Sequence, residues 1–219
     1  MKTKILSFDG IDNIGLYVFV TDSFALVGME VYEKYSEELK ELFKVPVIKM
    51  TIAGTSLIGV FVAGTKDKIL VPSIAFESEL ETLKENKIDF SVLDTKLTCL
   101  GNNMFCTEKL TFLNPDFSDK TQKKIQELLN TETLKTKLAE IKAIGSLVAI
   151  NKNKLLTTYN LSDKELKLLE DQGFEVTTGS ISMGSQYIKS GVLVNSNGLA
   201  VSKNSGGPEL VNAEEALKD

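Results

Sequence analysis

Few side chains in this sequence could do chemistry. Cys99 and Cys106 stand seven positions apart, and the 219 residues include no His; all 25 basic residues are Lys, so Arg is absent too. His is the commonest general acid-base and metal ligand, and Arg is the usual bidentate clamp on carboxylate or phosphate. A zinc site at the cysteines would need further ligands that only carboxylates remain to supply. A disulfide is disfavoured in a reducing compartment, and both cysteines are expected to be small, buried apolar residues. The adjacent carboxylates Glu37-Glu38 and Glu214-Glu215 diverge in direction on a helix and form no acid-base pair. Gly54 to Gly59 and Gly179 to Gly184 have the glycine spacing of a phosphate loop, but no Lys follows either. Ser205-Gly206-Gly207-Pro208-Glu209 reads as an ordinary helix start, with Pro in the first turn and Glu against the positive dipole. Together these residues point to a binding protein without metal or cofactor, and not to an enzyme.

The remaining composition is that of a soluble chain with a core: 42% apolar, 25% charged, net charge −5. The longest apolar run, residues 57–64, is far short of the roughly 20 residues a membrane span needs. No apolar leader marks the N-terminus, so a cytoplasmic protein is expected.

The elements that must position any binding residues are organised by repetition. Gly15, Gly59, Gly101, Gly145 and Gly191 open similar segments, spaced by 44, 42, 44 and 46 residues. Six residues after each comes a turn-forming polar residue: Thr21, Thr65, Thr107, Asn151 and Asn197. An apolar run precedes each turn, such as Leu16 to Val20, and another follows it, such as Phe24 to Val27, which is a β-hairpin signal repeated five times. Helix patterns come next. Ser78-Glu79-Leu80-Glu81 and Ser162-Asp163-Lys164-Glu165 fit capping boxes, while Leu39, Leu42 and Phe43, like Ile125, Leu128 and Leu129, share one helical face. A third extended stretch closes each unit, giving strand, strand, helix, strand.

The fifth unit lacks that last strand, since residues 191–219 end in a helix pattern. Residues 1–14 hold a lone strand-like stretch, Thr3 to Phe8, and the two pieces together make one repeat of 43 residues. The chain therefore reads as one α/β domain closed into a ring by its N-terminal strand, with repeats at about 15–58, 59–100, 101–144, 145–190, and 191–219 plus 1–14.

Several motifs resemble the archaeal translation initiation factor 6 family, homologous to the eukaryotic ribosome anti-association factor. They are residues 51–59 (TIAGTSLIG), 69–72 (ILVP), 100–102 (LGN), 205–210 (SGGPEL) and 213–217 (AEEAL), in order along the chain. The resemblance implies a pentein, a five-fold pseudosymmetric α/β propeller. It also implies a monomeric, non-enzymatic factor that binds the large ribosomal subunit near the sarcin-ricin loop, touching ribosomal proteins and RNA, and blocks joining of the small subunit. Release would need a translational GTPase and its partner factor. The residues implied for docking are Gly15, Gly59, Val60, Gly101, Asn102, Gly145, Ser146 and Gly191, clustered on one rim. The sequence departs from the family at hairpin turns lacking a final Gly, which implies altered turn geometry. At Leu147 the family commonly carries Asn, so one polar contact to the ribosome is expected to be missing.

Charge is uneven: residues 120–167 hold ten Lys and five acids, against fifteen and twenty-five elsewhere. That sector could face ribosomal RNA or be a solvated surface. A ring-shaped DNA clamp would need basic residues in every repeat, and an amidino-group enzyme of the same fold would need His.

Overall fold

The computed structural model describes residues 1–218. After an N-terminal strand β1 (Lys2–Leu6), one module recurs five times. In the first, a one-turn helix α1 (Ile14–Tyr17) leads into an inner strand β2 (Val18–Val20), a middle strand β3 (Ala25–Gly28), a long helix α2 (Met29–Phe43) and an outer strand β4 (Val47–Met50). The second is α3 (Ile58–Phe61), β5 (Ala63–Gly64), β6 (Lys68–Pro72), α4 (Glu77–Glu85) and β7 (Asp89–Leu93). The third is α5 (Leu100–Asn103), β8 (Met104–Cys106), β9 (Leu110–Leu113), α6 (Asp119–Leu129) and β10 (Glu132–Lys135). The fourth opens on a 3-10 turn (Ile144–Leu147) and continues with β11 (Val148–Asn151), β12 (Lys154–Thr158), α7 (Asp163–Glu170) and β13 (Glu175–Gly179). The fifth has α8 (Ile188–Gly191), β14 (Val192–Val194), β15 (Gly198–Ser202) and α9 (Gly207–Leu217), and takes β1 as its outer strand. Each sheet has three strands, the middle one antiparallel to the inner and parallel to the outer.

The N-terminal strand closes the ring as expected: β1 runs parallel to β15, Lys2 opposite Gly198 and Leu6 opposite Ser202. Parallel strands joined directly need a crossover connection, which β3–α2–β4 supplies within the repeat; β1 and β15 come from opposite ends of the chain and have no direct connection. The one-turn helices were not expected. Leu16 and Tyr17, read as the start of a strand, are helical, and the strand begins at Val18.

Middle strands read as continuous apolar runs, such as Ile69-Leu70-Val71 and Leu199-Ala200-Val201, because both their faces are buried. Alternate side chains of one strand fill two different wedges. Ala25 and Val27 pack with Leu39, Leu42, Phe43, Leu193 and Ala200 between the fifth and first repeats. Leu26 packs with Ile58, Ile69 and Leu83 between the first and second. Three equivalent wedges complete the circle. The long helix of each repeat thus buries its apolar stripe on the sheet of the repeat before it, and the core is shared out between neighbours.

Local signals fix the ends of these elements. At α7 the Ser162 hydroxyl accepts from the Glu165 N–H, while the Glu165 carboxylate accepts from the Ser162 N–H at 2.8 Å. The box expected at Ser78 and Glu81 lies two residues earlier, where Glu79 accepts from the Phe76 N–H at 2.8 Å. Four of the five hairpin turns are closed in the same way by a side-chain oxygen. Thr21, Thr65 and Thr107 accept backbone N–H bonds on Oγ1 from residues two or three ahead, as Asn195 does on Oδ1. Only the fourth turn departs, with Lys152 at φ 58°. Gly198, the one glycine retained at a turn, has no positive φ; a Cβ there would lie 2.5 Å from the Leu42 carbonyl oxygen.

The closing wedge has a direct test. Phe8, two residues beyond β1, is buried in it against Tyr35, with ring centroids 5.1 Å apart, whereas Ile5 on β1 is 54% exposed. Phe8→Ala should lose about 3–5 kcal/mol in urea unfolding and Ile5→Ala no more than about 0.5 kcal/mol. Equal small losses would mean that the N-terminal segment does not carry the wedge.

Candidate functional site

The five one-turn helices, counting the 3-10 turn, pack on one another in a closed cycle around the ring axis. Their second positions are Gly15, Gly59, Gly101, Gly145 and Lys189. A Cβ added at Gly15 would lie 1.8 Å from the Lys189 carbonyl oxygen, at Gly59 2.0 Å from that of Gly15, at Gly101 2.2 Å from that of Gly59, and at Gly145 2.4 Å from that of Gly101. These are backbone atoms and cannot swing aside, so glycine here is a condition of closure. All four glycines are buried, and the close approach they permit is made to the neighbouring repeat rather than left open to a partner. Gly191 does not belong to the set. It ends α8, two residues beyond the equivalent position, and packs on Ile181 and Ser182. The signal that locates the true position is the fully buried aliphatic residue before it, Ile14, Ile58, Leu100, Ile144 and Ile188, whose last interval is 44 residues and not 46.

Third positions of the short helices, Leu16, Val60, Asn102, Ser146 and Ser190, are half-buried. The hydroxyls of Ser146 and Ser190 donate to the carbonyls of Ala143 and Tyr187 at 2.6 and 2.7 Å. Capping in the third repeat is done by Asn103, which donates to the Cys99 carbonyl at 2.9 Å and accepts from Asn114 at 2.6 Å. The Asn102 side-chain amide has no hydrogen-bond partner among the described residues. Fourth positions range from half-buried, at Tyr17 and Phe61, to buried. Leu147 is fully buried, and its counterpart Asn103 is nearly so, so the Leu147 departure alters the core and not a surface contact.

The same end of the propeller carries the inter-repeat turns and the starts of the long helices. Ile11, Met29, Ile74, Phe76, Tyr159, Met183 and Tyr187 are all exposed there, Met183 at 78% and Phe76 at 56%. Exposed apolar side chains gathered at one end mark an interaction surface. The opposite rim is formed by the hairpin turns and presents Asp22, Lys66, Glu108 and Ser196; no exposed large hydrophobic residue lies on it among the described residues.

Two turns of the apolar end are held by carboxylates, buried Glu79 and half-buried Glu209. Glu79 accepts from the Thr51 hydroxyl at 2.6 Å and from the N–H groups of Ala53 and Gly54 at 2.8 and 2.9 Å. Glu209 does the same with Ser180, Met183 and Gly184. Burial pushes the Glu79 carboxyl up, but these donors together outweigh it and hold its pKa below the ordinary value; Glu209 behaves alike. The two segments with phosphate-loop spacing thus already hold an anion, the protein's own carboxylate.

In the Lys-rich sector, Lys124, Lys135, Lys137 and Lys142 pair with Glu127, Asp119, Glu140 and Asp116. Lys120, Lys123, Lys164 and Lys167 are exposed on α6 and α7. Both cysteines are free and only partly buried, unlike the expectation, and Cys106 lines the central channel. No cluster of metal-ligating side chains exists among the described residues, and no helix is long and apolar enough to cross a membrane.

Residues 3–216 match the eIF-6 family. Translation initiation factor 6 of Pyrococcus horikoshii is 32% identical over 224 residues, and that of Saccharolobus islandicus 31% over 221, each alignment covering 99% of both chains. Among solved structures, dimethylarginine dimethylaminohydrolase from Pseudomonas aeruginosa in complex with citrulline superposes with a TM-score of 0.53 at 12% identity, covering 77% of this chain and 69% of that one. The N-terminal domain of ArgZ, a cyanobacterial arginine dihydrolase, gives 0.54 at 11% identity over 77% and 69%. At such identities the likeness establishes the pentein fold alone.

The glycine ring predicts a sharp contrast. Gly59→Ala should cost more than about 4 kcal/mol or prevent folding, because the added methyl meets backbone. Gly207→Ala, where nothing lies within 4 Å, should be neutral or slightly stabilising. Urea unfolding curves that coincide for the two variants would refute the packing account.

Proposed function

The chain belongs to the eIF-6 family of translation initiation factors, and on that premise we propose that it binds the large ribosomal subunit through the end of the propeller built from the short helices. Bound there, the ring occupies space that the small subunit needs, and anti-association follows from exclusion without catalysis. The observation that carries this reading is the asymmetry of the two ends: seven exposed apolar side chains surround the short helices, and among the described residues the hairpin rim has none. Val60, Asn102 and Ser146 lie inside that apolar girdle. Asn102 contributes most, because its amide is not spent on the fold and is free to bond a partner. Gly15, Gly59, Gly101 and Gly145 act beneath it by holding the helices together, and Gly191 has no contact role in this scheme.

The partner surface is ribosomal protein near the sarcin-ricin loop together with adjoining ribosomal RNA. Paired lysines make much of the Lys-rich sector a weak attractor for RNA, and exposed Lys120, Lys123, Lys164 and Lys167 are stronger contributors. The factor acts as a cytoplasmic monomer, needs no cofactor and does not bind DNA. Catalysis of the kind suggested by its structural neighbours is disfavoured by a chain without His.

Co-sedimentation with purified large subunits through a sucrose gradient tests the reading. The parent protein should co-migrate. Asn102→Ala should weaken binding by about 1–2 kcal/mol, the scale of one interfacial hydrogen bond, with the melting temperature unchanged. Met183→Glu should weaken it as well, while Lys66→Glu on the hairpin rim should not. No co-migration, or a loss confined to Lys66→Glu, would reject the proposal.

A further inference from the structure

The central channel is lined by the inner strands, and its wall repeats with the fold. The last residue of each inner strand, or its equivalent, is Val20, Gly64, Cys106, Ile150 or Val194, and all five are half-buried around the axis. They form an apolar collar just inside the hairpin turns. Beneath it, at the ring of short helices, lies Lys189, the single side chain where four repeats have glycine. Its ammonium reaches across the ring and donates to the Gly101 carbonyl at 2.6 Å. That bond uses one of three N–H donors, and no carboxylate pairs with Lys189 among the described residues. Of the acidic groups lining the cavity, Asp22 accepts from the Ser196 N–H and hydroxyl, Glu108 accepts from the Lys66 N–H, and Glu132 is exposed on β10, outside the collar. Cys106, the nearest other titratable group, does not supply the missing charge, since burial pushes its thiol up to about 12. Burial lowers the Lys189 amine to about 8, so it is still largely protonated at neutral pH.

A cation with two unspent donors at the base of an apolar-walled channel lacks a counter-charge. The channel opens into a cavity of about 1070 Å³ that also takes in the hairpin mouth and the groove beside Glu132 and Phe174, room enough for a small ligand. We infer that the channel is a binding site for a small aliphatic monocarboxylate, its carboxylate paired with Lys189 and its body against Val20, Cys106, Ile150 and Val194. The mouth opens on the hairpin rim, away from the proposed docking end, so this inference stands independently of the ribosomal reading.

Hexanoate is the probe, read by nuclear magnetic resonance of the lysine ε-carbons. Saturable binding should raise the Lys189 pKa above about 8, and hexylamine should leave it unchanged. Lys189→Met, followed through backbone amides of the channel wall, should weaken hexanoate about tenfold or more, as loss of a charge-assisted bond requires. Should that variant fail to fold, Val20→Glu, which sets a carboxylate above the ammonium, should abolish the pKa response to hexanoate. No saturable shift in the parent, an equal response to hexylamine, or undiminished binding in either folded variant would overturn the inference.

Discussion

Everything in this molecule hangs on the distance between one backbone and the next at the centre of the ring. Five short helices fit around a single axis only because Gly15, Gly59, Gly101 and Gly145 let each α-carbon rest on the carbonyl of the preceding repeat. With that approach made, the inner strands converge, the sheets splay outward and five wedges open between them. The wedges are then filled from both sides, by alternate residues of the middle strands and by the long helix of the following repeat. No repeat has a core of its own, so the stability of the ring is cooperative in the way expected when neighbours supply each other's interior. A ring also removes the free end faces that an open array of repeats would have to cap, and here β1 pairs with β15 to finish the circle.

The same constraint makes the two ends of the propeller different. At the end of the short helices the chain passes from one repeat to the next, and the turns that do this are tight, with Ala53 and Gly54 both at positive φ. Glu79 and Glu209 clamp them through backbone N–H groups, which leaves the apolar side chains around them on a rigid base. Rigid, apolar and flanked by an uncommitted amide at Asn102, this end suits a partner that must be held by shape. The hairpin end closes its turns with its own Thr and Asn side chains and offers mostly charge to water.

Much of this was legible in the residues. The period near 44, the hairpins, the long helices and the missing outer strand of the fifth repeat were all readable, because each rests on a local pattern repeated five times. What escaped had a physical reason in each case. One-turn helices are too short to show a helical period, so Leu16 and Tyr17 read as strand. Lys189 broke the glycine pattern at the one position where its side chain could enter the channel, and Gly191 nearby offered a false match. The capping box shifted because Glu79, although it has Phe76 and not a hydroxyl residue three places before it, also serves the turn at Ala53 and Gly54. The apolar girdle was invisible for a different reason: Ile11, Phe76, Tyr159 and Met183 are far apart in sequence, and only the ring brings them to one end.

The central claim is that the short-helix end, not the hairpin end, faces the large ribosomal subunit. A cryo-electron microscopy reconstruction of the complex tests it most directly. The account predicts Asn102, Phe76 and Met183 within contact distance of the subunit, with the channel mouth and the turns at Asp22, Lys66 and Glu108 open to solvent. A ring seated with those turns on the subunit and Met183 in solvent would contradict it.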